Sequence, residues 1–310
     1  MNKYNCIIII GPTASGKTAL SIKLAKQLNG EIINADSSQM FKKLKIGTAK
    51  ISKEEMQNVK HHLISFLNPD EDFSVSDFKD RAIKIINKLI KEKKVPIIVG
   101  GTGFYIDSLI NNFNYGGLTK NSEIREKYVN LAKQYGKKYV FEILKKVDEK
   151  SAAVLHFNDL KRVIRALEIY ETTGKTKAEL STMQNTMQGN LKPLIVGVNL
   201  ERNILYDRIN LRTDMMFNKG LVNEVKKLYN SGYSKNLQSI KSIGYKELYD
   251  YFDGQLTLEE AKQLIKKNTR NYAKRQLTWF NRYNNAVWFD VLNYSEDEII
   301  NKILTIFNDK

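Results

Sequence analysis

Apolar residues fall into short unbroken runs in some parts of the chain and into spaced repeats in others. Cys6-Ile7-Ile8-Ile9-Ile10 is wholly apolar, which predicts a strand buried on both faces. Ala19 to Leu28 has apolar positions at helical spacing, with Gly30 expected to stop the helix. Glu31-Ile32-Ile33-Asn34-Ala35 predicts a second strand, and Val95-Pro96-Ile97-Ile98-Val99 a later one. Ser74 followed by Asp77 has the form of a capping box. It precedes Phe78, Ala82, Ile85, Ile86, Leu89 and Ile90, which repeat at helical spacing. Phe41 to Asn68 is polar and is expected to wrap around the strand ends. Alternation of strand and helix predicts an α/β fold: a parallel sheet with helices on both faces.

The pattern changes after about Ile110. Asn111 to Gly117 is turn-rich, and Asn121 to Thr182 shows only helical periodicity. Pro193-Leu194-Ile195-Val196-Gly197-Val198 again predicts a strand, and the remainder is mostly helical and basic. The expected organisation is therefore a core whose first half is 1–115, an all-helical insertion over 116–190, and a second core half over 191–310. An insertion of roughly 70 residues has the size of a small domain.

The first strand runs into Gly11-Pro12-Thr13-Ala14-Ser15-Gly16-Lys17-Thr18, a full phosphate-loop pattern between strand and helix. Glycines let backbone N–H groups wrap a diphosphate, and the helix N-terminus adds positive potential. Lys17 neutralises charge, and the Thr18 hydroxyl is suited to Mg²⁺. An ATP or GTP hydrolase of this kind usually has an acidic metal ligand at the end of another strand. Here the apolar run 95–99 ends in Gly100-Gly101-Thr102 instead, and no Asn-Lys-x-Asp string for reading guanine occurs.

Among 310 residues, 50 Lys and Arg face 34 Asp and Glu, a formal charge of +16. So large an excess points to a polyanionic partner, nucleic acid ahead of membrane surface. Cys6 is the single cysteine, which excludes internal disulfides and Cys-based zinc sites. No apolar run approaches the ~20 residues of a membrane span. Met1 to Asn5 leads straight into the first strand, so no secretory leader and a cytoplasmic location are expected.

Several strings, in order, resemble the tRNA dimethylallyltransferase (tRNA isopentenyltransferase) family, bacterial type. They are the phosphate loop, Asn34-Ala35-Asp36-Ser37-Ser38-Gln39-Met40, Ile46-Gly47-Thr48-Ala49-Lys50 and Gly100-Gly101-Thr102-Gly103-Phe104-Tyr105. Asp159 to Glu168, Ser242-Ile243-Gly244-Tyr245 and a basic helix with Arg270 and Ala273 to Trp279 complete the set. The resemblance covers nearly the whole chain. It implies a P-loop-type fold and transfer of a dimethylallyl group from its diphosphate to N6 of the adenosine just 3′ of the anticodon. The tRNAs concerned read codons starting with U.

The resemblance also implies residue roles. Asp36 is the candidate general base for a poorly nucleophilic exocyclic amine. Thr102 lies near the bridging oxygen where the allylic bond breaks. Arg212 joins Lys17 and Mg²⁺ on the leaving diphosphate, although Arg208, one turn earlier, is an alternative. The acceptor base must leave its stack, with Asp36, Ser37, Ser38 and Gln39 around it. Further expected tRNA contacts are Arg125, the run Lys161-Arg162-Val163-Ile164-Arg165, Lys241, Ser242, Gly244, Tyr245, Lys246, Lys274, Arg275 and Gln276. Lys266, Arg270 and Lys274 form one basic stripe on a helix, expected to meet phosphates. Core packing is favoured over base stacking for Trp279 and Tyr272. His61 and His62 lack further ligands for a metal, and His156 is expected to be structural. A monomer is expected. The rival readings are a small-molecule or nucleoside kinase, which shares the loop but gives no reason for a basic insertion, and a non-catalytic RNA-binding protein.

Overall fold

The computed structural model describes residues 3–110, 121–184 and 191–309. The linker expected at 111–117 lies outside the described residues. The chain divides into two compact units, Met1–Ile110 with Leu191–Lys310, and Asn111–Asn190. The second was expected over 116–190.

In chain order the first unit contains β1 (Cys6–Ile10), α1 (Lys17–Gln27), β2 (Gly30–Asn34), β3 (His61–His62), α2 (Val75–Lys91), β4 (Val95–Val99) and α3 (Gly103–Ile110). The second contains α4 (Ser122–Tyr135), α5 (Lys137–Val147), α6 (Glu149–Val154), α7 (Leu160–Thr173) and α8 (Lys177–Gln184). The first unit then resumes with β5 (Pro193–Asn199), α9 (Arg202–Asn218), α10 (Leu221–Asn230), α11 (Tyr245–Phe252), α12 (Leu258–Phe280), β6 (Val287–Asp290) and α13 (Glu296–Asn308).

The described strands form one sheet in the order β3-β2-β4-β1-β5-β6. Every pairing is parallel. Successive side chains of a strand point to opposite faces, which explains the unbroken apolar run in β1. Ile8 and Ile10 join the core shared with α2, α3, α11 and α12, where Phe78, Ile106, Leu248 and Phe280 pack. Ile7 and Ile9 face the other way, towards Leu20 and Leu24 of α1 and Ile299 and Ile303 of α13. The Ser74–Asp77 capping box opens α2 as expected from sequence.

Three local expectations change. Gly30 does not end α1; the helix stops at a Leu28 cap, the left-handed residue is Asn29 (φ 48°), and Gly30 begins β2. A Cβ on Gly30 would stand 2.7 Å from the Val95 carbonyl oxygen, so close strand pairing explains this glycine. The segment 41–68 is not uniformly polar in its packing: Phe41, Leu44, Val59 and Leu67 are buried. It also supplies β3, which pairs with β2 at Ile32–His61 and Ile33–His62. At the far edge β6 pairs with β5.

The second unit has its own core of Tyr128, Val140, Leu144, Val163, Ile164 and Leu167. Beside it the Glu168 side chain is only 2% exposed. One of its oxygens accepts from Arg125 Nε and Nη2 (2.9 and 2.8 Å) and from Arg165 Nη1 (2.8 Å). The other accepts from the Asn121 backbone N–H at 2.8 Å. Burial alone would raise this carboxyl's pKa; the hydrogen bonds from Arg125 and Arg165 outweigh it and hold the group below the usual range. No described helix is long and apolar enough to cross a membrane.

Candidate active site

Because the strands run parallel, the loops after β1, β2 and β4 leave the same edge of the sheet, where open α/β sheets bind ligands. These loops carry the phosphate-loop pattern, Asp36 to Gln39, and Gly100 to Thr102.

The phosphate loop is conformationally unusual. Gly11 has φ 148°, and a Cβ there would meet the Val198 carbonyl oxygen at 2.3 Å. Ala14, at φ 65°, is a left-handed non-glycine residue, a sparsely populated state held by its surroundings. Lys17 Nζ donates to the Pro12 carbonyl and to Ser15 Oγ, the latter at 3.4 Å. Burial lowers the Lys17 pKa to about 7; the nearby Arg212 charge pushes the same way and Asp36 opposes both. Burial also lowers Arg212, again opposed by Asp36. Two cations thus crowd this loop against one carboxylate, and an anionic ligand would relieve them.

Asp36 Oδ1 accepts from the Ser38 backbone N–H (2.9 Å), Ser38 Oγ (2.6 Å) and the Gln39 N–H (3.4 Å). The carboxylate is thereby fixed on its own turn. Thr102 Oγ1 accepts from the Ser37 N–H at 3.0 Å and donates to Ser37 Oγ at 3.3 Å, joining the β4 loop to the β2 loop. The adjoining glycines serve close approach: a Cβ on Gly100 would lie 2.2 Å from the Ala35 carbonyl oxygen, and one on Gly101 2.0 Å from Gln276 Nε2.

Helix α12 clasps two of the loops together. Gln276 Oε1 accepts from the Thr13 N–H at 2.8 Å, and Gln276 Nε2 donates to the Gly101 carbonyl at 2.9 Å. Tyr272 OH donates to the same carbonyl at 3.4 Å. From α9, Arg212 Nη1 donates to Thr13 Oγ1 at 3.2 Å. The alternative, Arg208, is exposed and does not line the cavity here.

The loops open into a cavity of 380 Å³. Thr13, Asp36, Arg212 and Tyr272 line it, with apolar Ile209, Met216, Ile243 and Ile265. Ser37, Ser38, Lys241, Ser242, Gly244, Lys246 and Arg275 contribute as well. A lining that combines polar and apolar residues suits an amphipathic ligand. Gln39 turns away, its Nε2 donating to the Thr48 carbonyl at 3.1 Å. Thr18 is exposed at the start of α1. Among the described residues no three His, Cys, Asp or Glu side chains gather as a metal-binding group.

Several residues expected to touch tRNA are committed elsewhere. Tyr245 is fully buried, with its OH donating to Glu224 Oε1 at 2.6 Å. Gln276 is buried as the loop clasp. Val163 and Ile164 form the apolar side of α7 inside the helical core, so an amphipathic helix leaves only Lys161, Arg162 and Arg165 of that run towards its polar side. Arg162 lies 3.4 Å from Asp159, while Arg125 and Arg165 share Glu168. The basic stripe on α12 is likewise divided. Lys266 bonds Asp214 at 2.8 Å and Arg270 bonds Asn210 at 2.6 Å, both on α9, whereas Lys274 is exposed. Spacing of four places side chains on one face without telling whether another helix covers it. Trp279 packs over Gly103, where a Cβ would meet its ring at 2.3 Å. Glu224 was missed from sequence: its carboxylate accepts the backbone N–H groups of Lys45, Ile46 and Gly47. A lone acid on an amphipathic helix carries no signal for that role.

The IPP transferase family model matches residues 39–283. The chain is 48% identical over 296 residues to the tRNA dimethylallyltransferase of Alkaliphilus oremlandii, covering 96% of this chain and 94% of that protein. It is 45% identical over 306 residues to the tRNA dimethylallyltransferase of Halalkalibacterium halodurans, covering 99% and 96%. The crystal structure of the full-length tRNA isopentenylpyrophosphate transferase from Bacillus halodurans superposes with a TM-score of 0.73 at 43% identity, covering 98% of this chain and 96% of that one. A eukaryotic dimethylallyltransferase acting on tRNA gives a TM-score of 0.85 at 28% identity, covering 99% and 79%.

Proposed function

The chain belongs to the IPP transferase family, and from that premise we propose that it transfers a dimethylallyl group from dimethylallyl diphosphate to N6 of the adenosine 3′-adjacent to the anticodon in tRNAs reading U-starting codons. Diphosphate is released. The observation that carries this reading is a phosphate loop beside a cavity holding Asp36, with Gly100-Gly101-Thr102 at the end of β4 in place of an acidic metal ligand.

In the proposed reaction N6 bonds to the allylic C1 as the C1–O bond breaks, and the amine proton passes to Asp36. The allylic carbon delocalises developing positive charge, so the protein's task is chiefly to orient and to stabilise. Phosphate-loop N–H groups, Lys17 and Arg212 take the leaving diphosphate. Thr102 serves the bridging oxygen. The cavity's apolar walls accept the prenyl tail. Residues fixed on rigid loops hold the flipped base, whose extrusion gives N6 access to the site.

The Thr18 hydroxyl would hold a Mg²⁺ ion, which would supply additional charge neutralisation to the diphosphate. The exposed Thr18 and the lack of an acidic cluster among the described residues fit such a substrate-borne ion better than a protein cage. Lys241, Lys246 and Arg275 at the cavity, with Lys274 and the polar sides of α4 and α7, are the proposed tRNA contacts. A monomer is the proposed state, and work on tRNA makes the cytoplasm the expected compartment.

The test incubates unmodified tRNA with labelled dimethylallyl diphosphate and Mg²⁺, with ATP in a parallel reaction. Label entering tRNA without ATP supports the reading. ATP consumption without transfer returns the chain to the kinase class.

A further inference from the structure

A second cleft of the first unit has no part in the chemistry above. Lys42, Lys43, Lys45, Lys219 and Lys227 line it, and the only carboxylate among its lining residues is Glu224. That carboxylate already holds the 45–47 backbone and Tyr245 OH. It frames the cleft and leaves the lysines uncompensated. Lys42 bonds Asn68 Oδ1 at 3.4 Å, and Lys43 bonds Tyr233 OH at 2.9 Å while lying over its ring. Among the described residues Lys45, Lys219 and Lys227 make no side-chain hydrogen bond or ion pair, and all three are exposed.

The platform is firm. Phe41 and Leu44, on either side of Lys42 and Lys43, are buried in the core. Three backbone donors on one carboxylate fix the next turn. The turn has two sides: Lys45 and Ile46 line this cleft, and Gly47 and Thr48 line the reaction cavity. The cleft and the reaction cavity are therefore neighbours across one turn. Five ammonium groups around one groove fit a polyanion with repeated phosphates, because each neutralised phosphate releases counterions.

We propose that the Lys42–Lys43–Lys45–Lys219–Lys227 cleft is a binding site for the tRNA sugar–phosphate backbone beside the extruded base. The proposal rests on the tRNA reading above. It concerns affinity and salt dependence and assigns the lysines no chemical step.

The test compares a variant carrying Lys45→Gln, Lys219→Gln and Lys227→Gln with the wild-type chain and with a control carrying Lys84→Gln, Lys88→Gln and Lys91→Gln. The control removes the same charge from α2, where these lysines are exposed. Binding of unmodified tRNA is measured by fluorescence anisotropy from low to moderate salt, and melting temperature checks the fold. Each lost phosphate contact lowers the slope of log K against log salt by about 1. The cleft variant is expected to lose about 3 in slope and at least about tenfold in low-salt affinity, with KM for tRNA rising. The control keeps most of its slope. Replacing the same three lysines by arginine restores binding. Equal losses in both triple variants, or none in the cleft variant, overturn the proposal. Failure of the proposed function reads differently: the wild-type chain then transfers no label to tRNA.

Discussion

The phosphate loop and the helical unit each bring two cations towards one carboxylate, with different pairing. In the helical unit Glu168 takes Arg125, Arg165 and a backbone N–H, and its pKa lies below the usual range. At the phosphate loop Lys17 and Arg212 crowd one another, and Lys17 falls to about 7. In the first set both cations bond the carboxylate directly, and the cluster serves packing. In the second the cations do not bond Asp36, whose Oδ1 is taken by its own turn, which is the state expected of a site built for an anion. Arginine near an acid is therefore no marker of function by itself; what decides is whether the cations already hold their acid without a ligand.

The largest expected effect lies at the carboxylate of the phosphate-loop site. Asp36→Asn keeps an oxygen to accept the Ser38 and Gln39 hydrogen bonds and removes the base. Single-turnover prenylation should slow by about 10²–10⁴-fold, with the melting temperature nearly unchanged. Near-normal turnover would show that Asp36 takes no proton and would erase the contrast with Glu168.

In the helical unit, Glu168→Ala leaves two guanidiniums without a buried partner. Breaking a buried pair costs about 3–5 kcal/mol, but these arginines reach solvent, so about 2 kcal/mol is expected. Hydrogen exchange in α4 and α7 should rise about 30-fold while β1 amides stay protected. Unchanged exchange would mean that this cluster does not hold the unit.

Gly101→Ala tests the clasp joining the two loops. The added methyl collides with Gln276 Nε2, so the Thr13 bond should loosen and kcat/KM fall about tenfold, given a lost hydrogen bond and some strain. Adding Gln276→Ala removes the collision as well as the bond, so the two effects should be less than additive. Full additivity would show that Gly101 acts elsewhere.

The most graded effect is a pH dependence of diphosphate binding. A bound anion raises the Lys17 pKa above its free value of about 7. The attraction is then fully present below pH 7 and fades as pH rises towards the bound-state pKa. Calorimetry with inorganic diphosphate should show affinity falling by up to about tenfold per pH unit above 7. A flat profile from pH 6 to 9 would mean Lys17 stays charged throughout, and the contrast in pairing would weaken.

Sequence made the buried elements legible and hid the edges. β1 and β4 are covered on both faces, so their composition alone predicts them. β3 has two residues and β6 four, each paired on one side only; too few positions remain for a period to emerge. The phosphate-loop turn was readable because its backbone shape is set locally, between β1 and α1. The partners of Thr13 and Gly101 were not, since Gln276 lies 263 and 175 residues away. Tyr245 and Gln276 look like polar contacts for a partner until the fold shows Glu224 and Gly101 already occupying them. The basic stripe on α12 is divided for the same reason: tertiary structure sets Asp214 and Asn210 of α9 opposite Lys266 and Arg270 and leaves Lys274 exposed.

The Gln276 clasp also sets an order of events during synthesis. Thr13 leaves the ribosome early, whereas its side-chain partner is made 263 residues later. A nascent or truncated chain lacking α12 therefore has a phosphate loop without its amide clasp and a cavity without Tyr272 and Arg275. Assembly of the site therefore waits for α12.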